Sequence, residues 1–216
     1  MIAQRLQMVR EALTLPPESM PGTRYTYSNM GFVIAGAMLE RITGEEWETL
    51  MTRELFEPLG MTASGFGTPG KNGSPDQPWG HDGRTPIAPG PNGDNPQALG
   101  PAGTVHTTLQ DWTRFVAVHL AGAQGEGGLL DADTFEKLHT PAAGFEYALG
   151  WGVGTRNWAG GRVLQHAGSN TLWYAVVWIA PERNFAIIIA TNQGGDDAAD
   201  GTDRAAAALI ERYNAG

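Results

Sequence analysis

Between residues 149 and 191 the chain alternates strand-length apolar runs with compact turn chemistry, a pattern that admits few architectures. Leu149 to Arg156 and Arg162 to His166 flank a turn at residues 157–161, and Leu172 to Ala180 and Phe185 to Thr191 flank a second turn at Pro181 to Asn184. Such runs, rich in β-branched and aromatic residues and joined by turns too short for a crossover helix, pair antiparallel with their sequence neighbours. Residues 202–213, with Leu209 and Tyr213 at i, i+4 spacing, read as a helix that closes over this meander.

Upstream the period changes to that of helices. Ile2, Leu6, Val9 and Leu13 make an apolar stripe on an opening helix that Pro16 and Pro17 end. Residues 29–42 and 45–56 read as two more helices, the first stopped by Gly44 and the second by Pro58 and Gly60. Thr108 to Asp111 matches a capping box ahead of Trp112, Phe115, Val116, His119 and Leu120, and Asp131 is a candidate cap for a short helix over 132–139. Helices, then sequential strands, then a covering helix predict an α+β fold. We expect one domain over 1–216, divided into a helical lobe at 15–148 and a sheet with its closing helix at 149–216. Within the lobe, 18 of the 41 residues from 64 to 104 are Gly or Pro, so neither period survives and the segment reads as a long ordered loop.

Composition narrows the function classes. The absence of cysteine removes disulfides, thiolate metal sites and cysteine nucleophiles, and no cofactor motif is present. A formal charge of −9 lacks the basic footprint of a nucleic-acid binder. No apolar run reaches the length of a membrane span. His81, His106, His119 and His139 lack metalloprotease spacing, and the Gly-rich stretch lacks the phosphate-loop lysine pattern. Met1 to Leu15 carries Arg5, Arg10 and Glu11 with no apolar signal core, so the sequence as written reads as cytoplasmic, and as periplasmic or secreted if a leader precedes it.

Two short motifs remain. Tyr27-Ser28-Asn29 precedes an apolar helix, where Ser28 or Asn29 can cap the first turn behind a packed aromatic. His166-Ala167-Gly168-Ser169 ends one strand, where a turn with a buried histidine is the plain structural reading. Their order and surroundings point further. Pro21 to Phe32 with Glu57-Pro-Leu-Gly-Met61, Pro101 to Thr108 with Asp111-Trp112, Leu149-Gly-Trp-Gly152, and His166 to Asn192 together resemble the serine hydrolases of the β-lactamase, DD-peptidase and family VIII esterase superfamily.

That resemblance implies a β-lactamase-like fold and a cleft built from S-x-x-K, Y-x-N and K-T-G or H-x-G motifs. Tyr27 then matches the general base, Asn29 the residue that bonds the catalytic lysine and the substrate, and His166 the position held by lysine in β-lactamases and often by histidine in esterases and peptidase-like members. Gly168 leaves room for substrate, and the Ser169 N–H is an oxyanion donor. Trp79 and His81, with Trp151, Trp173 and Tyr174, are candidates for the cleft wall, packing being the other reading. The first motif is missing: serines occur at 19, 28, 64, 74 and 169, lysines at 71 and 137, and no serine has a lysine three residues later. Tyrosine near its ordinary pKa of about 10 is a poor base without a neighbouring ammonium. The expectation is therefore a serine hydrolase acting on a small-molecule ester, peptide or β-lactam substrate, N-terminally truncated and inactive alone. The alternatives are a non-catalytic ligand-binding module and one half of a split enzyme. An exposed sheet edge predicts self-association.

Overall fold

The computed structural model describes residues 1–73 and 76–215. It is α+β and falls into two compact units, residues 1–79 with 87–107 and residues 80–86 with 108–216.

In the first unit α1 (Ile2–Ala12), α2 (Asn29–Thr43) and α3 (Trp47–Met51) pack together, α3 running on into a π-helical turn at Thr52–Phe56. α1 buries only part of the apolar stripe expected of it, Val9 and in part Ile2. Arg5 and Val9 are buried, while Leu6 and Leu13 are 37% and 69% exposed. The reason is electrostatic. The Arg5 guanidinium, fully enclosed, pairs with Glu40 of α2 and, at 2.5 Å, with Glu48 of α3. It also donates through Nε to the Ala98 carbonyl at 3.2 Å and lies over the Trp47 ring. A buried charge must be paired and hydrogen-bonded, and that demand overrides the stripe. Gly44 ends α2 in the left-handed conformation its position predicts (φ 76°). α2 buries Val33, Gly36 and Glu40 and leaves Phe32, Met38, Leu39 and Ile42 exposed.

The Gly/Pro-rich segment carries more local structure than its composition suggests. β1 (Gly65–Phe66) pairs antiparallel with β4 (Val105–His106), a 3-10 turn at Gln97–Leu99 leads into the single helical turn α4 (Gly100–Gly103), and β2 (His81–Asp82) pairs with β3 (Thr85–Pro86) as a small hairpin of the second unit.

The second unit is built on the anticipated meander, a four-stranded sheet in sequential order: β5 (Gly152–Arg156), β6 (Gly161–Ser169), β7 (Tyr174–Ala180) and β8 (Phe185–Thr191). Adjacent positions Val163 and Leu164 are both almost fully buried, so both faces of the sheet are covered. On one face Leu164, Val177 and Ile179 meet Val116 of α5 (Leu109–Ala123) and Trp151. α6 (Ala132–His139) packs on α5, and α7 (Asp196–Ala215), longer than expected, packs on β8, with Tyr213 stacked on Phe185 at 3.9 Å. Both predicted caps form: Thr108 Oγ1 accepts from the Asp111 N–H at 3.2 Å and the Asp131 carboxylate from the Thr134 N–H at 2.7 Å.

Candidate active site

The first unit carries Tyr27, Asn29 and Trp79; the second carries His81, His166, Gly168 and Ser169. The structural explanation of Tyr27-Ser28-Asn29 fails. Ser28 is the extended residue before α2, but its side chain makes no capping bond, and Asn29 is already inside the helix. Tyr27 is 53% exposed. Its neighbour Tyr25 has a raised pKa, first from partial burial and then from the charge that Tyr27 would carry. The tripeptide thus presents a phenol and a carboxamide at the exposed start of one helix. Trp79 is half-buried beside Gly70.

In the second unit the strand ends gather the remaining candidates. His166 lies on β6 opposite Val177 of β7. Its Nδ1 is 2.8 Å from the Gly150 carbonyl oxygen and 3.2 Å from the Tyr147 hydroxyl. At the end of β6, Gly168 is exposed, and a Cβ built on it would meet nothing within 4 Å. The Ser169 hydroxyl is committed to its own turn, donating to the Trp173 carbonyl at 2.7 Å and accepting from the Thr171 N–H at 3.1 Å. That turn holds Thr171 at φ 82°, a left-handed conformation that a β-branched residue rarely adopts. Such strain persists only where the surroundings over-determine it. Here Gly194 supplies the constraint, since a Cβ on it would sit 2.0 Å from the Thr171 carbonyl oxygen.

His81 joins the same cluster. Its N–H donates to the Leu172 carbonyl at 3.1 Å, and its Nδ1 is 3.0 Å from the carbonyl oxygen of Asn192. Gly80 is required beside it, because a Cβ there would lie 2.5 Å from the Trp173 indole nitrogen. That indole N–H is buried with no hydrogen-bond partner among the described residues. Trp151, a wall candidate on sequence grounds, belongs instead to the core at 5% exposure. Sequence reading missed Tyr147, Gly150, Asn192 and Gly194. Tyr147 stands just before the Leu149-Gly-Trp-Gly152 motif, which was the available signal.

A second polar pair lies inside the core. His119 Nδ1 and His139 Nε2 are 2.9 Å apart among Phe115, Phe135 and Trp151. Burial lowers the pKa of both to about 4, helped by their mutual repulsion at His119 and by Arg162 at His139.

Comparison with known proteins agrees with this architecture. A family model described as Beta-lactamase matches residues 2–212. Penicillin-binding protein 4 of Amycolatopsis lactamdurans is 28% identical over 186 residues, 81% of this chain and 49% of that protein. An unguisins hydrolase of Aspergillus campestris is 24% identical over 86% of this chain and 36% of its own length. The chain therefore spans half or less of these relatives. Among solved structures, the octameric penicillin-binding protein homologue from Pyrococcus abyssi superposes with a TM-score of 0.70 at 20% identity, over 90% of this chain and 44% of that one.

Proposed function

The chain belongs to the β-lactamase family, and from that premise we propose that it is the Y-x-N- and H-x-G-bearing part of a serine hydrolase that cleaves ester, peptide or β-lactam bonds through an acyl-enzyme. One observation carries the reading: the family match runs across both motifs, and the capping bond that would otherwise explain the first does not form. In this reading Tyr27 is the proton carrier, Asn29 the substrate and lysine partner, His166 the residue that takes the motif lysine's place, and the Ser169 N–H an oxyanion donor beside Gly168. Histidine in place of lysine favours ester or peptide substrates. The residues given hold no S-x-x-K, so the reading draws the nucleophile and its lysine from polypeptide outside them.

The test is intact-mass analysis after incubation with a fluorophosphonate or a fluorescent penicillin. Residues 1–216 alone are expected to stay unmodified, and an adduct is expected on an added S-x-x-K-bearing polypeptide in their presence. An adduct on residues 1–216 alone overturns the assignment of the nucleophile. Ligand-induced stabilisation with no adduct in either mixture replaces it with a binding module.

Self-association through the sheet edge belongs to the same proposal. β8 is apolar, lacks lysine and proline, and is paired on one side only among the described residues. The octameric relative supports it. Light scattering at micromolar concentration should find more than one copy, and a strict monomer would exclude it.

A further inference from the structure

His166 is more tightly specified than its motif. A carbonyl oxygen only accepts, so Nδ1 at 2.8 Å from the Gly150 carbonyl carries the proton. The alternative tautomer would set an imidazole lone pair against a carbonyl lone pair at hydrogen-bond distance. Tyr147 Oη at 3.2 Å lies where it accepts the second, longer branch of the same N–H. The Gly150 carbonyl is aimed by a backbone conformation with φ 97° at that residue, which favours glycine. Nε2 makes no hydrogen bond among the described residues and is not among the buried unsatisfied atoms, so it is open to solvent.

We propose that Tyr147 and the Gly150 carbonyl are positioning groups that fix His166 as its Nδ1–H tautomer, so that Nε2 of the neutral ring meets the ligand as a hydrogen-bond acceptor. This rests on the hydrolase reading for the identity of the site but not for the tautomer. It also sets a ligand class. The neutral ring takes ligands that present a hydrogen-bond donor, such as an amide N–H or a hydroxyl. A ligand carboxylate, which only accepts, is opposed by that Nε2 lone pair. A lysine here would stay cationic and bind carboxylates across the neutral range.

The titratable groups on the elements around His166 are Glu146 and Tyr147 before β5, Arg156 on β5, Arg162 on β6 itself, Tyr174 on β7, and Asp111, Arg114 and His119 on α5. Of these, Tyr147 alone touches the ring among the described residues.

Long-range proton–nitrogen correlation spectra of the nitrogen-labelled 216-residue chain read the tautomer directly, with His166→Gln identifying the signals. The expected result at neutral pH is a protonated Nδ1 and an unprotonated Nε2. A dominant Nε2–H form overturns the proposal. Tyr147→Phe should lower the Nδ1–H fraction, and an unchanged fraction removes Tyr147 from it. N-acetylalanine amide and N-acetylalanine are then titrated at pH 8. The amide, which offers N–H donors, should bind at least several-fold tighter than the acid. Equal or tighter binding of the acid overturns the ligand assignment. Failure of the hydrolase reading alone would show as correct tautomer and ligand behaviour with no adduct in any mixture.

Discussion

Arg5→Ala is the substitution whose cost the structure specifies best. Arg5 is 0% exposed and Glu40 2% exposed, and the guanidinium joins α1 to α2, α3 and the 97–99 turn. Alanine would leave the Glu40 carboxylate with only the Trp47 N–H at 3.0 Å. Breaking a buried pair strands a charge and costs about 3–5 kcal/mol. For a chain of this size that is roughly 6–20 °C in Tm. Urea titration followed by tryptophan fluorescence measures it, since Trp47 sits against the guanidinium. The cluster holds two carboxylates for one guanidinium, and the second oxygens of both Glu40 and Glu48 are buried without hydrogen-bond partners among the described residues. Glu48→Gln should therefore cost under about 1 kcal/mol. The triple change Arg5→Met, Glu40→Leu, Glu48→Gln should recover most of the loss, because an apolar replacement of a buried ion pair is often neutral. A loss below about 1 kcal/mol for Arg5→Ala would show that the pairing with Glu40 and Glu48 does not hold Arg5 inward.

Three further outcomes follow from the second unit. The folded-state pKa values of His119 and His139 lie below the ordinary 6.5, so their contribution is complete above pH 6.5 and is lost as pH falls towards about 4. Urea midpoints across that window should fall more steeply for wild type than for His119→Gln, and parallel slopes would contradict the pair's role. Gly122→Ala should destabilise by about 1–2 kcal/mol despite the better helix propensity, because the new Cβ would lie 2.3 Å from Phe135 Cγ. Adding Phe135→Leu should reverse part of that loss, and additive effects of the two changes would argue against the contact. Gly194→Ala should displace the 169–173 turn and shift the amide signals of Ser169 and Thr171 while leaving those of α5 in place. An unperturbed turn would mean that Gly194 does not set the Thr171 conformation.

What could be read from the sequence depended on the range of the interaction responsible. Caps, left-handed glycines and tight turns are decided within a few residues. Gly44, Thr108, Asp131 and the 181–184 turn therefore stand where they were expected, and β8 keeps its predicted bounds. The burial of Arg5 on α1 is set by Glu40 and Glu48, distant in sequence, and the apolar stripe, of which Leu6 and Leu13 stay exposed, was the stronger local signal. The hairpin in the Gly/Pro-rich segment escaped notice because two-residue strands show no period.

The same distinction runs through the candidate site. Tyr27, Asn29 and His166 were visible because their neighbours form a motif in one dimension. The state of His166 was not visible, because a backbone carbonyl fixes it, and a carbonyl has no identity in a sequence. The lone glycine that aims that carbonyl is the trace it leaves, at Gly150 with φ 97°. A motif of this kind thus gives the address of a titratable side chain, while the protonated nitrogen, and with it the charge of the ligand it can accept, depends on the main chain beside it.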